Sequence, residues 1–249
     1  MRIRQLLIAG LIPVICVGIH AQENQSQSPG AATKPARTAY YVDPAILDVS
    51  DLIPSPPAMD SAQGEAESVE LHRIEQTRTE AQVAQAKADD AEEDMFAFKT
   101  VFGAIFTPEA LPITAELGAH VKNEQSVIGN QLKLHFERLR PYQADATLHP
   151  VCPVKPRHDS YPSGHALTGY LEALTLAEMV PEKRSEILER ADNYAHNRLI
   201  CGVHYASDIE ASRRIAYVVF GYMLATPRFE RDLAAAKLEL RSKLGFAGR

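Results

Sequence analysis

Apolar and polar positions divide the chain into an N-terminal apolar run, a polar stretch and a long region with helical periodicity. Residues 6–19 are almost all apolar and follow a short segment that contains Arg2 and Arg4. A positive segment, an apolar run and a small residue such as Ala21 are typical of a secretory signal peptide. We therefore predict a signal peptide at residues 1–21 and an exported protein, periplasmic or secreted.

The polar stretch after the signal peptide has little to bury. Residues 22–45 are mostly Gln, Ser, Ala, Thr and Pro at first, and we predict a flexible N-terminal segment there. Apolar residues among prolines at 41–58 indicate an extended arm that lies across a folded domain at 46–249. No later segment is long and apolar enough to span a bilayer, so we expect no membrane contact after signal cleavage.

The rest of the chain has the apolar spacing of α-helices. Helical stretches are predicted from Ser61 to Phe106, from Ser126 to Tyr142, after Ser163, from Pro181 to Arg198 and from Ser207 onward. Five acids cluster near the end of the first stretch: Asp89, Asp90, Glu92, Glu93 and Asp94. Because contiguous positions point to several sides of a helix, we expect these acids to form a solvated face and not a metal site.

Two cations lie on the second predicted helix. Lys133 and Arg140 are seven residues apart, which places them on one helical face before Pro141 ends the helix. An inward-facing pair of cations needs a counter-charge, whereas a solvated pair costs little. The spacing therefore indicates either an anion site or an ordinary basic surface stripe.

A Ser-Tyr-Pro-Ser-Gly-His string at 160–165 precedes the third predicted helix. Gly164 allows a ligand to approach the backbone closely, and free N–H groups at a helix N-terminus favour an oxyanion. Ser163 can add its hydroxyl, and His165 in the first turn can donate a proton. A simple N-cap explains the serine and the glycine but not the histidine.

The segment from Arg198 to Asp208 combines a guanidinium, an imidazole and a carboxylate. His204 and Asp208 are four apart, so one helical turn would bring the carboxylate beside the ring. A neutral imidazole attacks through one nitrogen when its other nitrogen donates to a fixed acceptor. Alone, this pair is equally consistent with a surface ion pair or a buried structural histidine.

Composition limits the functions that fit. The 249 residues suit one globular domain, and a net charge of −6 argues against nucleic-acid binding, so any anion site must be local. Signal cleavage leaves Cys152 and Cys201. In an oxidising compartment they are candidates for a disulfide, because both flank motifs that must converge in a single site, although two separate buried thiols fit the sequence as well.

Three motifs together resemble a known family. The strings Lys-x6-Arg-Pro at 133–141, Pro-Ser-Gly-His at 162–165 and Arg-x5-His-x3-Asp at 198–208 are similar to the signature of the phosphatidic acid phosphatase type 2 and vanadium haloperoxidase superfamily. Within it, the chain most resembles the secreted class A bacterial nonspecific acid phosphatases, from about Pro54 to near the C-terminus. One departure is visible, since Asn197 stands where the family usually has serine.

The resemblance implies an all-α acid phosphatase domain at 46–249 with a helical-bundle core. It implies hydrolysis of small phosphate monoesters with broad specificity, without a metal or other cofactor. His204 would attack phosphorus and form a phosphohistidine, Asp208 would orient it, and His165 would protonate the leaving group. The phosphate would be bound by Lys133, Arg140, Ser163, Gly164 and Arg198, with Asn197 as a possible accessory donor. The residues alone do not decide which histidine attacks. We also expect a homo-oligomer, a dimer or higher.

Other functions also fit the sequence. A vanadate-dependent haloperoxidase would use the same pocket, although such enzymes are generally larger. A lipid phosphatase of this superfamily usually carries membrane helices. A phosphate-binding or interaction protein could use the predicted helix at 61–106 while its pocket stays idle.

Overall fold

Helices form all the secondary structure in residues 37–43 and 50–246, which are the residues that the computed structural model describes. In this part the α-helices are α1 (Ala62–Thr77), α2 (Glu80–Ala91), α3 (Lys99–Phe102), α4 (Pro112–Phe136), α5 (Pro141–Ala144), α6 (Gly164–Met179), α7 (Arg184–Ile200), α8 (Ala206–Leu224) and α9 (Pro227–Lys243). Short 3-10 helices lie at Ser50–Leu52, Met95–Phe98 and Pro181–Lys183. The all-α prediction is confirmed. The predicted signal peptide and residues 22–36 of the predicted flexible segment lie outside the described residues.

Helix α6 is the centre of the bundle. It packs against α4, α7, α8 and α9. Its apolar residues cover every face, and Leu167, Leu171 and Leu176 are fully buried. A helix that is apolar all round has to be enclosed by its neighbours. The N-terminus of α6, where Gly164 and His165 lie, is therefore held at one end of the bundle.

The predicted helical stretch from Ser61 to Phe106 is divided into separate helices. Arg78 and Thr79 adopt extended backbone conformations, and the Thr79 hydroxyl accepts a hydrogen bond from the N–H of Gln82 to begin α2. The Arg78 guanidinium donates to the carbonyls of His149 and Ile200. The prediction of continuous helix was wrong here because a threonine N-cap and a tertiary contact of Arg78 favour a break.

Helix α4 ends earlier than predicted. Its last residue is Phe136, and Glu137 adopts a left-handed conformation with φ of 45°. Residues 137–140 are not helical, so Lys133 and Arg140 do not share a helical face, as the sequence had suggested. Pro141 begins the short helix α5 instead of ending a long one.

The N-terminal arm is fixed by one buried carboxylate. Glu124 on α4 is fully buried and accepts hydrogen bonds from the backbone N–H groups of Tyr40, Tyr41 and Val42. Tyr41 and Val42 are buried as a result. Packing thus begins at least as early as Tyr41, while the domain boundary at residue 46 remains a prediction.

Helix α8 begins at Ala206, one residue before the predicted start at Ser207. Tyr205 is the N-cap, and the Asp208 carboxylate accepts its N–H at 2.8 Å. Ser207 does not cap the helix, because its hydroxyl donates to Glu67 and accepts from Arg138. Among the described residues, no helix combines the length and the apolar character that a membrane span requires.

Candidate active site

A cavity of about 520 Å³ lies at the N-terminal end of α6. Helix α4, the loop at 155–159, the first turn of α6, the end of α7 and the residue before the N-cap of α8 contribute to its wall. The lining residues are Arg37, Glu93, Lys122, Gln125, Ser126, Asn130, Lys133, Arg140, Lys155, Pro156, Arg157, Asp159, Gly164, His165, Arg198 and His204. Six of the residues predicted from sequence therefore meet in one cavity, although three separate parts of the chain supply them.

His204 is fixed in one tautomer by its two neighbours. Its Nδ1 is 3.2 Å from Asp208 Oδ2, and its Nε2 is 3.1 Å from Arg140 Nη1. A carboxylate can only accept and a guanidinium can only donate. Nδ1 therefore carries the proton and Nε2 presents a lone pair at the cavity. Burial, and then the charges of Arg140 and Lys133, hold the pKa of His204 well below its usual range, so the ring is neutral.

Asp208 is held by a buried network that the sequence motifs do not include. Arg138 donates through Nη1 to Asp208 Oδ1 at 2.7 Å and through Nη2 to Glu67 Oε2 at 3.0 Å. Its guanidinium also lies over the Tyr205 ring, 4.1 Å from the centroid. Ser160 donates to Asp208 Oδ2 at 2.6 Å. In the sequence, the feature that could have indicated this role was the position of Arg138 two residues before Arg140 of the first motif.

Lys133 and Arg140 converge on Asp159 from different elements. Lys133 Nζ donates to the Asp159 carbonyl at 2.5 Å, and Arg140 Nε donates to the Asp159 carboxylate at 2.7 Å. Burial, and then the charge of Arg140, lower the pKa of Lys133 to about 8. The positive charges of the half-buried Lys133 and the buried Arg140 are therefore only partly compensated, and an anion in the cavity would complete their neutralisation.

Arg198 reaches the cavity from the last turn of α7. It is buried, and its Nη1 donates to Asp90 Oδ1 at 2.6 Å. Its Nε is buried without a hydrogen-bond partner in the described part of the chain. A buried, unsatisfied N–H of a guanidinium is costly, which is expected where a ligand supplies the missing acceptor.

His165 faces oxygen atoms through both ring nitrogens. Its Nε2 is 3.2 Å from the Asp90 carbonyl, and its Nδ1 is 3.6 Å from Glu93 Oε1. Burial, and then the charge of Arg198, hold the pKa of His165 well below its usual range. The surrounding oxygen acceptors favour the protonated ring, whereas burial and the charge of Arg198 favour the neutral ring. A negative charge in the cavity would raise the pKa of His165 and favour the protonated ring.

The remaining predicted ligands at the start of α6 differ in exposure to the cavity. Gly164 lines it, and a Cβ at this position would lie 3.3 Å from Gln125 Nε2, so glycine keeps the wall open. Ser163 is buried behind it: its hydroxyl accepts from the Ala166 N–H at 3.4 Å, and its own N–H donates to the Asp208 carbonyl. Asp208 is likewise behind the wall, in contact with His204.

The acidic cluster is not the solvated face that was predicted. Asp89 is buried and binds Arg190 through both carboxylate oxygens. Asp90 pairs with Arg198, and Glu93 lines the cavity. Spacing alone suggested scattered directions, but the last turn of α2 packs against α7, so Asp89 and Asp90 meet its arginines. Glu93 follows the end of α2 and reaches the site. Of the five, Asp94 is exposed.

Asn197 is directed away from the cavity. Its amide donates to Asp89 Oδ2 at 2.7 Å, and the residue is buried. The asparagine at this position, where the family usually has serine, therefore provides a hydrogen bond to Asp89 and no donor on the cavity wall.

Cys152 and Cys201 form the predicted disulfide, with an S–S distance of 2.03 Å. It joins the segment before the 155–159 loop to the end of α7. Asp90 lies close enough to both sulfurs for metal ligation, but sulfurs in a disulfide are not thiolate ligands. In the described residues, no other cluster of His, Cys, Asp and Glu has metal-ligand spacing.

Comparison with known proteins agrees with this geometry. The model of the PAP2 superfamily matches residues 123–232, which hold the inner cavity residues Lys133, Arg140, His165, Arg198 and His204. Over these residues the chain is similar to the PAP2 superfamily.

Several proteins to which this chain is similar carry phosphatase names. It is 28% identical over 243 residues to a non-specific acid phosphatase of Providencia stuartii, with 92% of this chain and 96% of that protein covered. It is 32% identical over 155 residues to a non-specific acid phosphatase of Salmonella typhimurium (59% of this chain, 60% of that protein). An acid phosphatase of Zymomonas mobilis is 34% identical over 125 residues (48% and 46%). The chain thus spans less than two thirds of the latter two proteins.

Among solved structures, the chain is similar to the transmembrane PAP2-type phosphatidylglycerolphosphate phosphatase of Bacillus subtilis. The TM-score is 0.49 at 15% identity, with 67% of this chain and 87% of that chain covered.

Proposed function

We propose that this protein is a metal-independent acid phosphatase that hydrolyses small phosphate monoesters through a phosphohistidine intermediate. The observation that carries the proposal is the fixed tautomer of His204, with Nδ1–H on Asp208 and the Nε2 lone pair at a cationic cavity. A neutral, oriented imidazole among buried cations is the arrangement that attack on a phosphate requires. This geometry supports His204 as the nucleophile, a choice that the residues alone left open between two histidines.

In the first step His204 Nε2 attacks phosphorus while the bond to the leaving oxygen breaks. Arg140 Nη1 transfers its hydrogen bond from Nε2 to a phosphate oxygen as the P–N bond forms. The positive charge that develops on the ring is stabilised by Asp208, which already accepts from Nδ1.

Lys133, Arg140 and Arg198 bind the three equatorial oxygens, where charge concentrates in the transition state. The Gly164 N–H at the start of α6 adds a donor, and the free Arg198 Nε gains its acceptor. Ser163 acts from behind the wall by capping α6 and donating to the Asp208 carbonyl. These positive groups supply the role that a metal ion has in other phosphatases.

His165 donates a proton to the leaving oxygen and then accepts one from the attacking water. The dianionic substrate raises the pKa of His165 by offsetting its burial and the charge of Arg198. Water then attacks phosphorus, the P–N bond breaks, and inorganic phosphate leaves with His204 neutral again.

We place the protein outside the cytoplasm. The predicted signal peptide and the Cys152–Cys201 disulfide support an oxidising compartment. Broad specificity and a homo-oligomer remain predictions.

Hydrolysis of an aryl phosphate by purified mature protein tests the function. We expect turnover that chelator does not reduce and orthovanadate inhibits, and a loss of about 10³-fold or more in His204→Ala. Rapid quench with radiolabelled substrate should trap an acid-labile phosphoenzyme in the wild type and none in the variant. The matched control is His135→Ala, which changes an exposed histidine outside the cavity. Undiminished turnover in His204→Ala would remove the nucleophile, and halide oxidation with vanadate would indicate a haloperoxidase instead.

A further inference from the structure

The cavity carries more positive charge than one phosphate group uses. Seven cationic side chains and two carboxylates line it, in a chain whose net charge is −6. Lys133, Arg140 and Arg198 are the inner cations assigned to the scissile phosphate. The outer cations are Arg37, Lys122, Lys155 and Arg157. Of these, Lys122 has a carboxylate partner, since its Nζ is 3.5 Å from Glu93.

Lys155 and Arg157 belong to a loop whose backbone is held in place. The Tyr142 hydroxyl donates to the Lys155 carbonyl at 2.9 Å and accepts from the Lys155 N–H at 2.8 Å. The Gln143 amide donates to the carbonyls of both Lys155 and Arg157. Because α5 fixes this backbone, the two side chains extend from a defined position beside the site.

The charges of Lys155 and Arg157 are exposed at the edge of the cavity. Both side chains are exposed, and neither forms an ion pair within the described part of the chain. After burial and Arg140, the charge of Lys155 further lowers the pKa of Lys133. Unpaired cations that act on a neighbouring cationic site are unfavourable unless an anion binds between them.

A second cleft adjoins the cavity on the side of Arg157. This cleft of about 640 Å³ shares Lys133, Arg157 and Asp159 with the cavity and extends to Leu134 and His158. Arg157 therefore lies between the phosphate cavity and the space that a leaving group can fill.

We propose that Lys155 and Arg157 form a subsite for a second anionic group, so that the enzyme prefers phosphate monoesters whose leaving group carries a carboxylate or another phosphate. This inference rests on the proposed phosphatase function and names its substrate class. The inner cations would act on every substrate, whereas this pair would distinguish among leaving groups.

Two matched substrate pairs test the subsite: 3-phosphoglycerate with glycerol 3-phosphate, and 6-phosphogluconate with sorbitol 6-phosphate. Within each pair the ester is the same and only a terminal carboxylate differs. We expect wild-type kcat/KM to favour the carboxylated member of at least one pair by about 3- to 10-fold, as exposed ion pairs of modest strength allow. Lys155→Ala/Arg157→Ala should abolish this preference and leave aryl phosphate turnover within about twofold.

The control Arg231→Ala/Lys243→Ala removes two exposed cations from α9 and should keep the preference. No wild-type preference, a preference that survives in the loop variant, or an equal loss for both members of each pair would overturn the subsite. Equal loss would mean that the loop only attracts anions. Failure to hydrolyse any monoester would instead reject the phosphatase. Calorimetry would then compare methylenebisphosphonate with methylphosphonate, and equal affinities in the wild type would reject the subsite as well.

Discussion

The carboxylate of Asp208 connects His204, the proposed nucleophile, to the interior of the protein. It accepts hydrogen bonds from His204, Tyr205, Ser160 and Arg138. Arg138 in turn binds Glu67, so two buried carboxylates share one guanidinium. The planar guanidinium reaches the two carboxylates through two separate nitrogens, whereas an ammonium has all its donors on one atom. The orientation of His204 therefore depends on Arg138, which does not line the cavity.

Replacing Arg138 by lysine tests this positioning role. We expect Arg138→Lys to lower kcat roughly 10- to 100-fold and to leave KM for an aryl phosphate within about threefold, because substrate contacts are intact while the nucleophile is misaligned. Arg214→Lys is the control, since Arg214 forms an exposed ion pair with Glu210. A fall in thermal stability with unchanged kcat would assign Arg138 a structural role only.

At the scale of elements, the site is assembled where helix ends meet. The last turn of α7 supplies Arg198, the first turn of α6 supplies Gly164 and His165, and the residue before the α8 N-cap is His204. Asp90 in the last turn of α2 pairs with Arg198, and Glu93 just after α2 lies beside His165. The disulfide holds the end of α7 to the segment leading into the 155–159 loop. The positions of the site residues therefore depend more on where the helices begin and end than on which helix faces they occupy.

Removal of the disulfide should destabilise the fold more than it impairs chemistry. For a sequence separation of 49 residues, chain entropy gives a loss of roughly 4 kcal/mol in the free energy of unfolding for Cys152→Ala/Cys201→Ala. Urea titration with and without reductant measures it, and the wild type in reductant should resemble the variant. The folded fraction should keep kcat within about fivefold, since neither sulfur lines the cavity. A change below about 0.5 kcal/mol would contradict the entropic estimate.

For the whole molecule, the cavity makes stability depend on pH and on anions. The folded-state pKa values of His204, His165 and Lys133 lie below their usual values. The unfolded chain therefore binds more protons, and unfolding becomes easier as pH falls. Because of Lys133, the free energy of unfolding decreases as pH falls from the ordinary pKa of lysine to about 8. Because of the two histidines, it decreases further as pH falls below about 6.5. An anion in the cavity should reverse both losses.

Sulfate separates this effect from titration of the ligand, because its charge is constant across the range. We expect a fixed sulfate concentration to add about 1–2 kcal/mol more stability at about pH 5.5 than at about pH 9, or about 2–8 °C in Tm. Lys133→Met should remove most of the difference between about pH 7 and 9, which excludes a general salt effect. An equal Tm shift at both pH values, measured against chloride of equal ionic strength, would contradict the expectation.

The sequence by itself determined the helical class, and it indicated the candidate cations and histidines of the site and a candidate disulfide between Cys152 and Cys201. Apolar periodicity and short motifs express these features because they depend on local spacing or on residue types with specific chemistry. Spacing four apart sufficed for His204 and Asp208, since a turn at the start of α8 brings them together. The helical face assumed for Lys133 and Arg140 was wrong, yet both reach the cavity.

Only the tertiary structure decided the roles of residues whose partners are distant in sequence. Arg138 meets Glu67 across 71 positions, and Asp90 meets Arg198 across 108. No local pattern marks such pairs, because their energy comes from burial beside an opposite charge, and burial is a property of the folded chain. The same reason explains why the acidic cluster was predicted to face solvent and why Asn197, which binds Asp89, was considered for the phosphate site.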